Sequence, residues 1–369
     1  TRIGACAQAA IWMAGRFFHL KHRAPWFSLP EITENALRPT DSAITRSLPA
    51  GSDYLTSDNM VRALRAMGRH PVFYAPHATP QGYDWGFDPS AVIGQYVDSG
   101  IPVILGVNNG QSVGHAVVAV GFERYANLDC TNLPPESSQA IFTSHFLVMD
   151  DQRGPYLRLS VDGADHGDVP YNIRDHLQFM IVPLPNKVFL TSEIAETIAR
   201  GLINDVASKI GQFRTQLPTQ KQVDWPQEAE FYGPERLKRL VARTYLTYGW
   251  KYKSRAIRNQ TSDILSREII KRDFPKYVWV TEFSDPEETK AVDPCARIVR
   301  AHVVTDATGS RFWESTLIVD CPGVMVAWDF DPVADADSAQ QSLYLVDHPN
   351  IYFPKIRGMR DFAACALPA

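Results

Sequence analysis

The sequence predicts an α+β protein of two domains, and three observations lead to this prediction. Apolar residues recur every three to four positions in several segments, which is typical of amphipathic helices. Short runs rich in Val and Ile alternate with Gly, Asn and Pro, which is typical of strands joined by turns. The 369 residues correspond to about two domains, because a domain has roughly 150 residues. We expect an N-terminal helix packed on an antiparallel sheet in the first domain, and helices followed by antiparallel strands in the second.

The composition is that of an ordinary globular protein, with 45% hydrophobic and 21% charged residues. A net charge of −4 provides no basic surface, so we do not expect nucleic acid as a partner. No apolar run approaches the ~20 residues that a membrane span needs. The cysteines are few and widely spaced, which predicts no disulfide framework and favours a reducing, cytoplasmic compartment. They are Cys6, Cys130, Cys295, Cys321 and Cys365.

The first helix is predicted to begin near Cys6 and to end before Pro25. Its expected buried face comprises Ala9, Trp12, Met13, Phe17 and Leu20. Residues 25–52 are rich in Pro, Thr, Ser and Asp, which predicts a long connection. A second helix is predicted from a cap at Thr56 or Ser57 to a stop at Gly68.

The stretch from Gly100 to Glu123 predicts two strands joined by a polar turn. His115 opens the second of these strands, beside a glycine that leaves room for another group to approach. A further strand over 144–149 is predicted to end at the pair Asp150 and Asp151. The start of one strand and the end of the next would therefore carry ionisable side chains.

A hinge at Pro183-Leu184-Pro185 separates the two predicted domains, residues 1–184 and 185–369, and residues 124–140 are predicted to form an inserted loop. In the second domain we predict helices over Thr191–Phe213, Pro234–Tyr248 and Ser262–Arg272. The strands that follow are predicted over Tyr277–Phe283, Ala296–Val304, Trp313–Val319, Val324–Phe330 and Leu343–Val346.

Three residues of the first domain form a candidate site for nucleophilic catalysis. Cys6 opens a helix, where the positive end of the helix dipole and unpaired N–H groups favour a thiolate. A cysteine nucleophile needs a base, for which His115 is the candidate, and a group that orients the base, for which Asp150 is the candidate. Taken singly, each residue has a structural alternative, since a free cysteine is usually a small buried hydrophobe and a histidine at this place can merely cap the strand.

Four segments carry a resemblance to a known family. They are GACAQAAIWM, LTSDNMVRALRAMGRHPVFY, IGQYVDSGIPVILGVNNGQSVGHAVVAVGFE and FLVMDDQRGPY. In this order they resemble the nucleophile helix, the next helix–strand unit, the histidine-bearing strand pair and the orienting-acid strand of papain-like cysteine peptidases. The branch to which residues 1–184 are similar is that of bacteriocin leader peptidases and their bacterial relatives.

The resemblance implies that Cys6 is the nucleophile, His115 the general base and later acid, and Asp150 the residue that fixes the imidazole tautomer. Asp151 is the alternative for the last role, since only one of two successive strand residues can face the histidine. The family's oxyanion site pairs the backbone N–H of the nucleophile with an upstream Gln, whose position here falls at or before Thr1. The family's Gly after the nucleophile is Ala7 here.

Three functions therefore stay open on the sequence. The first is a peptidase or amidase that works through a thioester acyl-enzyme. The second is an inactive papain-like module that binds a peptide or protein, which the missing Gln and Ala7 favour. The third is a transglutaminase-like acyltransferase with the same triad. No motif in the second predicted domain indicates a function.

We predict no cofactor and no metal. The histidine pair at a helix end lacks further ligands, and an acidic cluster lacks the Gly and Glu of a calcium loop, which favours a solvated loop. These residues are His19, His22, Asp329, Asp331, Asp335 and Asp337.

Overall fold

The structure of the protein is a computed structural model with two compact units, each a mixture of helices and antiparallel sheet, which confirms the predicted α+β class. It describes residues 6–38, 55–80, 82–108, 114–125, 129–163, 167–216, 219, 231–259, 263–289, 299–309, 315–329 and 340–345. Among the described residues, those up to 125 and those of 143–187 belong to the first unit, and those of 126–142 and 188–345 belong to the second. The predicted inserted loop thus belongs to the second unit from residue 126 on.

The first unit contains the predicted strand pair around His115 as β4 and β5, which pair antiparallel. Its helices are α1 Cys6–His22, α2 Leu29–Leu37, α3 Ser57–Ala66, α4 Pro89–Asp98 and α5 Ile173–His176. Its strands are β1 Arg69–Tyr74, β2 His77–Thr79, β3 Gly82–Asp84, β4 Val103–Val107, β5 His115–Arg124, β6 Thr143–Asp150, β7 Gly154–Ser160 and β8 Leu177–Pro185.

The large sheet of this unit has the strand order β1-β8-β4-β5-β6-β7, and every neighbouring pair is antiparallel. In the pairing of β5 with β6, Val118 lies opposite Met149. The start of β5 and the end of β6 therefore lie side by side, at the same end of these two neighbouring strands. This topology brings His115, the first residue of β5, close to Asp150, the last residue of β6.

Helix α1 packs against β4, β5 and β6, and it begins at Cys6 as predicted. The predicted buried face was wrong, because Leu20 is 63% exposed and the other four predicted residues are only partly buried. The buried apolar side chains are Ala7, Ala10, Ile11, Ala14 and Phe18. Small alanines let the helix approach the sheet closely, and the bulkier residues remain at the edge of the contact.

The segment predicted as a long connection contains helix α2. Ser28 and Glu31 form a capping box, in which the Glu31 carboxylate accepts the Ser28 backbone N–H at 2.7 Å. Pro30 stands in the first turn, where a missing N–H costs nothing. These signals are present in the sequence, and the composition of the surrounding residues obscured them. The predicted cap at Thr56 is confirmed at the start of α3.

The second unit contains a six-stranded meander, in which each strand pairs with the next along the chain in the order β14-β13-β12-β11-β10-β9. Its helices are α6 Ser192–Thr215, α7 Pro234–Arg239, α8 Gly249–Asn259, α9 Asp263–Lys271 and α10 Pro286–Thr289. Its strands are β9 Val241–Tyr248, β10 Tyr277–Ser284, β11 Ala301–Asp306, β12 Thr316–Cys321, β13 Val324–Asp329 and β14 Gln340–Leu345.

The predicted helix over Pro234–Tyr248 was wrong in its second part. The helix ends at Arg239, and residues 241–248 form strand β9 at the edge of the meander. This stretch, VARTYLTY, is rich in β-branched and aromatic residues, which pack well on a pleated surface. Helix α8, which was not predicted, follows directly from Gly249.

A row of buried ionisable side chains crosses the meander. Arg243, Glu282, His302 and Asp320 lie opposite one another on four adjacent strands, and each is at most 3% exposed. Arg243 donates to Glu282 at 3.0 Å, and the Tyr245 hydroxyl donates to the other carboxylate oxygen at 3.0 Å. Pairing of this kind allows charges to be buried.

Some of the predicted roles concern residues outside the described ranges. They include the roles proposed for Asp331, Asp335, Asp337, Cys295 and Cys365. Within the described part of the chain, no helix combines the length and the apolar composition that crossing a membrane requires.

Candidate active site

Cys6 is the first residue of α1, and its side chain is partly exposed. The first N–H groups of an α-helix have no acceptor within the helix, and the positive end of the helix dipole lies among them. The position therefore offers hydrogen-bond donors to a negative charge on or near the Cys6 side chain. The sequence predicted this placement.

His115 and Asp150 are in contact where β5 begins and β6 ends. The Nε2 atom of His115 lies 3.1 Å from the Oδ1 atom of Asp150. The carboxylate approaches obliquely to the ring N–H, so the contact is an ion pair rather than a well-aligned hydrogen bond. The Cys6 side chain interacts with the same imidazole and favours its protonated form. The structure thus brings together Cys6, His115 and Asp150.

The Asp150 carboxylate is held from three further directions. Its Oδ1 atom accepts the backbone N–H groups of Gln152 at 2.8 Å and Arg153 at 3.2 Å, which closes the turn after β6. Its Oδ2 atom accepts the hydroxyl of Tyr171 at 2.7 Å. The Asp150 side chain is fully buried, and these donors replace the water that it lacks.

The charges of His115 and Asp150 stabilise each other. Burial lowers the pKa of His115, but the contacts with Asp150 and Cys6 outweigh burial and raise this pKa to about 9. Burial raises the pKa of Asp150, while His115, Tyr171 and the Gln152 N–H lower it to about 2. An imidazolium–carboxylate pair therefore persists through the neutral pH range.

Asp151, the alternative orienting residue, is exposed. Burial of its inner part and the nearby Asp150 raise the pKa of Asp151, against the opposing effect of His115. The turn after β6 is closed by Asp150, whose carboxylate rather than that of Asp151 accepts the N–H groups of the turn. Asp150 therefore both faces His115 and closes the turn after β6.

The same three side chains, His115, Asp150 and Asp151, are the described group that could hold a metal ion, with ligand atoms within 4.8 Å of one another. Both oxygens of Asp150 already accept hydrogen bonds, and Oδ1 accepts two of them beside its contact with His115. The arrangement therefore fits the orientation of an imidazole better than the coordination of a metal.

Gln8 does not fit the role of the family's oxyanion glutamine. Residues two apart on an α-helix project about 200° from each other, so Gln8 and Cys6 leave the helix on different sides. Gln8 is buried, and its side-chain oxygen accepts no hydrogen bond within the described part of the chain. The expected oxyanion site has two donors, the backbone N–H of the nucleophile and a Gln side chain. Of these two, the described residues contain the backbone N–H of Cys6.

The other residues singled out in the sequence have structural surroundings. Nδ1 of His19 lies 2.8 Å from the Ala24 carbonyl oxygen, beyond the C-terminal end of α1. Cys130 and Cys321 are buried thiols of the second unit, and the described cysteines form no disulfide.

Sequence reasoning missed Tyr171, which contacts Asp150 from a position 21 residues further along the chain. No local pattern marks it, because its role depends on a long-range contact.

Comparison of the chain with family models, curated proteins and solved structures found no match. The functional interpretation therefore depends on the geometry of the site.

Proposed function

We propose that the first unit is a thiol-dependent peptidase or amidase with a papain-like fold. One observation carries this proposal: the imidazole of His115 contacts the carboxylate of Asp150 and also interacts with the side chain of Cys6. The three residues come from a helix start, a strand start and a strand end, the order that the resemblance implies. An activated cysteine requires such a base and such an orienting group.

The proposed reaction begins from a thiolate on Cys6 and an imidazolium on His115. The thiolate attacks the carbonyl carbon, and the imidazolium then gives its proton to the leaving amine, which leaves a thioester on Cys6. Water then attacks the thioester while neutral His115 takes a proton from it, and collapse of the intermediate releases the carboxylic acid product and restores the Cys6 thiolate and the His115 imidazolium. Asp150 stays ionised throughout and stabilises the imidazolium.

The negative oxygen of the tetrahedral intermediate needs hydrogen-bond donors. The backbone N–H groups of Cys6 and Ala7 lie in the first turn of α1, where no carbonyl of the helix can accept them. These two donors are our candidates for the oxyanion site. A side chain at position 7 does not remove a backbone N–H, so Ala7 is compatible with this role.

The test is cleavage of a complex peptide mixture by the purified protein, with products identified by mass spectrometry. We expect products that the Cys6→Ala variant does not release, and unchanged products from Cys130→Ala, which removes a buried thiol of the second unit. Equal product release by the parent protein and Cys6→Ala would refute the proposal. Added amines that appear in the products would indicate that the same acyl-enzyme serves acyl transfer.

A second measurement separates an active thiol from an inactive binding module. The rate of alkylation of Cys6 by iodoacetamide at pH 6 should exceed that of a free thiol, because His115 is protonated at this pH and stabilises the thiolate. The His115→Ala variant should lose this advantage. A parent rate equal to that of a free thiol would support the inactive module.

A further inference from the structure

The buried carboxylate of Asp150 has a hydrogen-bond donor that the triad does not include. The hydroxyl of Tyr171 donates to Oδ2 of Asp150 at 2.7 Å, and Tyr171 is 4% exposed. The Tyr171 ring also stands edge-on to the His115 ring, with a centroid separation of 6.3 Å. One side chain therefore contacts both the orienting acid and the base of the proposed site.

We propose that Tyr171 is a positioning residue, whose hydroxyl holds the Asp150 carboxylate with Oδ1 towards His115 and Oδ2 away from it. This inference rests on the proposed function, which gives Cys6, His115 and Asp150 their catalytic roles. Its own observable, the behaviour of Asp150 and Cys6 in solution, does not require that a peptide be cleaved.

The contacts of the two oxygens explain why such a donor is needed. Oδ1 faces His115 and accepts two backbone N–H groups, whereas the hydroxyl of Tyr171 is the donor to Oδ2 among the described residues. Without it, a buried charged oxygen would lack a partner, which is costly. The carboxylate would then gain by rotating or by taking up a proton, and either change weakens its contact with His115.

The hydroxyl can act as a donor over a wide pH range. Burial and the neighbouring Asp150 carboxylate raise the pKa of Tyr171 well above its usual value. The phenol therefore keeps its proton wherever His115 is protonated. A phenolate at this place would instead repel the carboxylate.

The test compares Tyr171→Phe, which removes the hydroxyl and keeps the ring, with the parent protein. In protein labelled with 13C at the aspartate carboxyl, the Asp150 resonance is assigned by its loss in Asp150→Asn. We expect it to begin to titrate about one pH unit higher in Tyr171→Phe, since one hydrogen bond to a charged group is lost. We also expect the alkylation of Cys6 at pH 6 to slow several-fold, measured on the tryptic peptide of residues 3–16.

A matched control is Tyr74→Phe, which removes a buried hydroxyl of the same unit that is paired with the Tyr96 hydroxyl at 2.9 Å. It should lower stability to a similar degree and leave both measurements unchanged. Parent-like values of both measurements in Tyr171→Phe would overturn the inference. If Tyr171→Phe does not fold, the parent decides, because an Asp150 pKa at or above the ordinary 3.8 would contradict the proposed hydrogen bond.

These outcomes are distinct from those of the proposed function. Absence of Cys6-dependent cleavage in the parent would refute the peptidase and leave the titration of Asp150 as the test of Tyr171. Cleavage that depends on Cys6, together with a parent-like Tyr171→Phe, would support the peptidase and reject the positioning role.

Discussion

Replacing Asp150 by Asn removes the charge beside His115 and keeps an oxygen that can accept the N–H groups of the turn. The rise of the His115 pKa from 6.5 to about 9 corresponds to about 3 kcal/mol of preference for the imidazolium. Burial acts in the opposite direction, so the loss of Asp150 should bring this pKa to about 7 or below. Cys6 and the nearby Asp151 would still favour the imidazolium.

The assay is an NMR titration of the histidine rings, with the His115 signals assigned by their absence in His115→Ala. A His115 pKa within about half a unit of the parent value in Asp150→Asn would refute the reasoning. Asp151→Asn is the control, because this exposed carboxylate is screened by water and its removal should change the His115 pKa by less than about one unit.

The raised pKa also has a consequence for stability with a definite sign. A folded-state pKa above the unfolded value of 6.5 gives a stabilisation that is complete below pH 6.5 and is lost as the pH rises through about 9. The free energy of unfolding from urea titrations should therefore fall between pH 7 and pH 10 in the parent. Most of this fall should be absent in Asp150→Asn, and an identical fall in both proteins would contradict the assignment to His115.

Three further predictions concern the fold, each measured as the free energy of unfolding. Gly106→Ala should cost about 1–3 kcal/mol, because the new Cβ would overlap the ring of Phe179, and a parent-like value would show that the ring moves aside freely. Arg243→Met should cost about 3–5 kcal/mol by leaving Glu282 buried without its cation, and adding Glu282→Leu should restore much of this; no recovery would contradict the cause. Thr56→Ala should cost about 1 kcal/mol through the lost cap of α3, whereas Thr56→Ser should cost less.

The parts of the fold that sequence predicted correctly are those with local signals. The cap at Thr56, the start of α1 at Cys6 and the strand pair around His115 depend on neighbours within a few residues. Such signals act in the unfolded chain as well as in the folded one. They are sufficient to predict that Cys6, His115 and Asp150 stand at a helix start, a strand start and a strand end.

The errors concern features that distant residues decide. Which face of α1 is buried depends on the sheet on which the helix packs. Alanines allow closer packing on that sheet than the larger residues that the periodicity favoured. Strand β9 forms because β10 pairs with it, although its residues also follow a helix-like spacing. Tyr171 reaches Asp150 across 21 residues, and no pattern in a single sequence indicates such a contact.

Asp150 links the fold to the proposed chemistry because one of its oxygens has two tasks. Oδ1 closes the turn after β6 by accepting the N–H groups of Gln152 and Arg153, and the same atom lies 3.1 Å from His115. The backbone of the turn and the hydroxyl of Tyr171 fix the carboxylate without any contribution from the imidazole. A negative charge is therefore in place beside the imidazolium, and no reorganisation is needed when His115 gives its proton to the leaving amine. A residue that only closed the turn could be Asn, whereas Asp150 closes the turn and also places a negative charge beside His115.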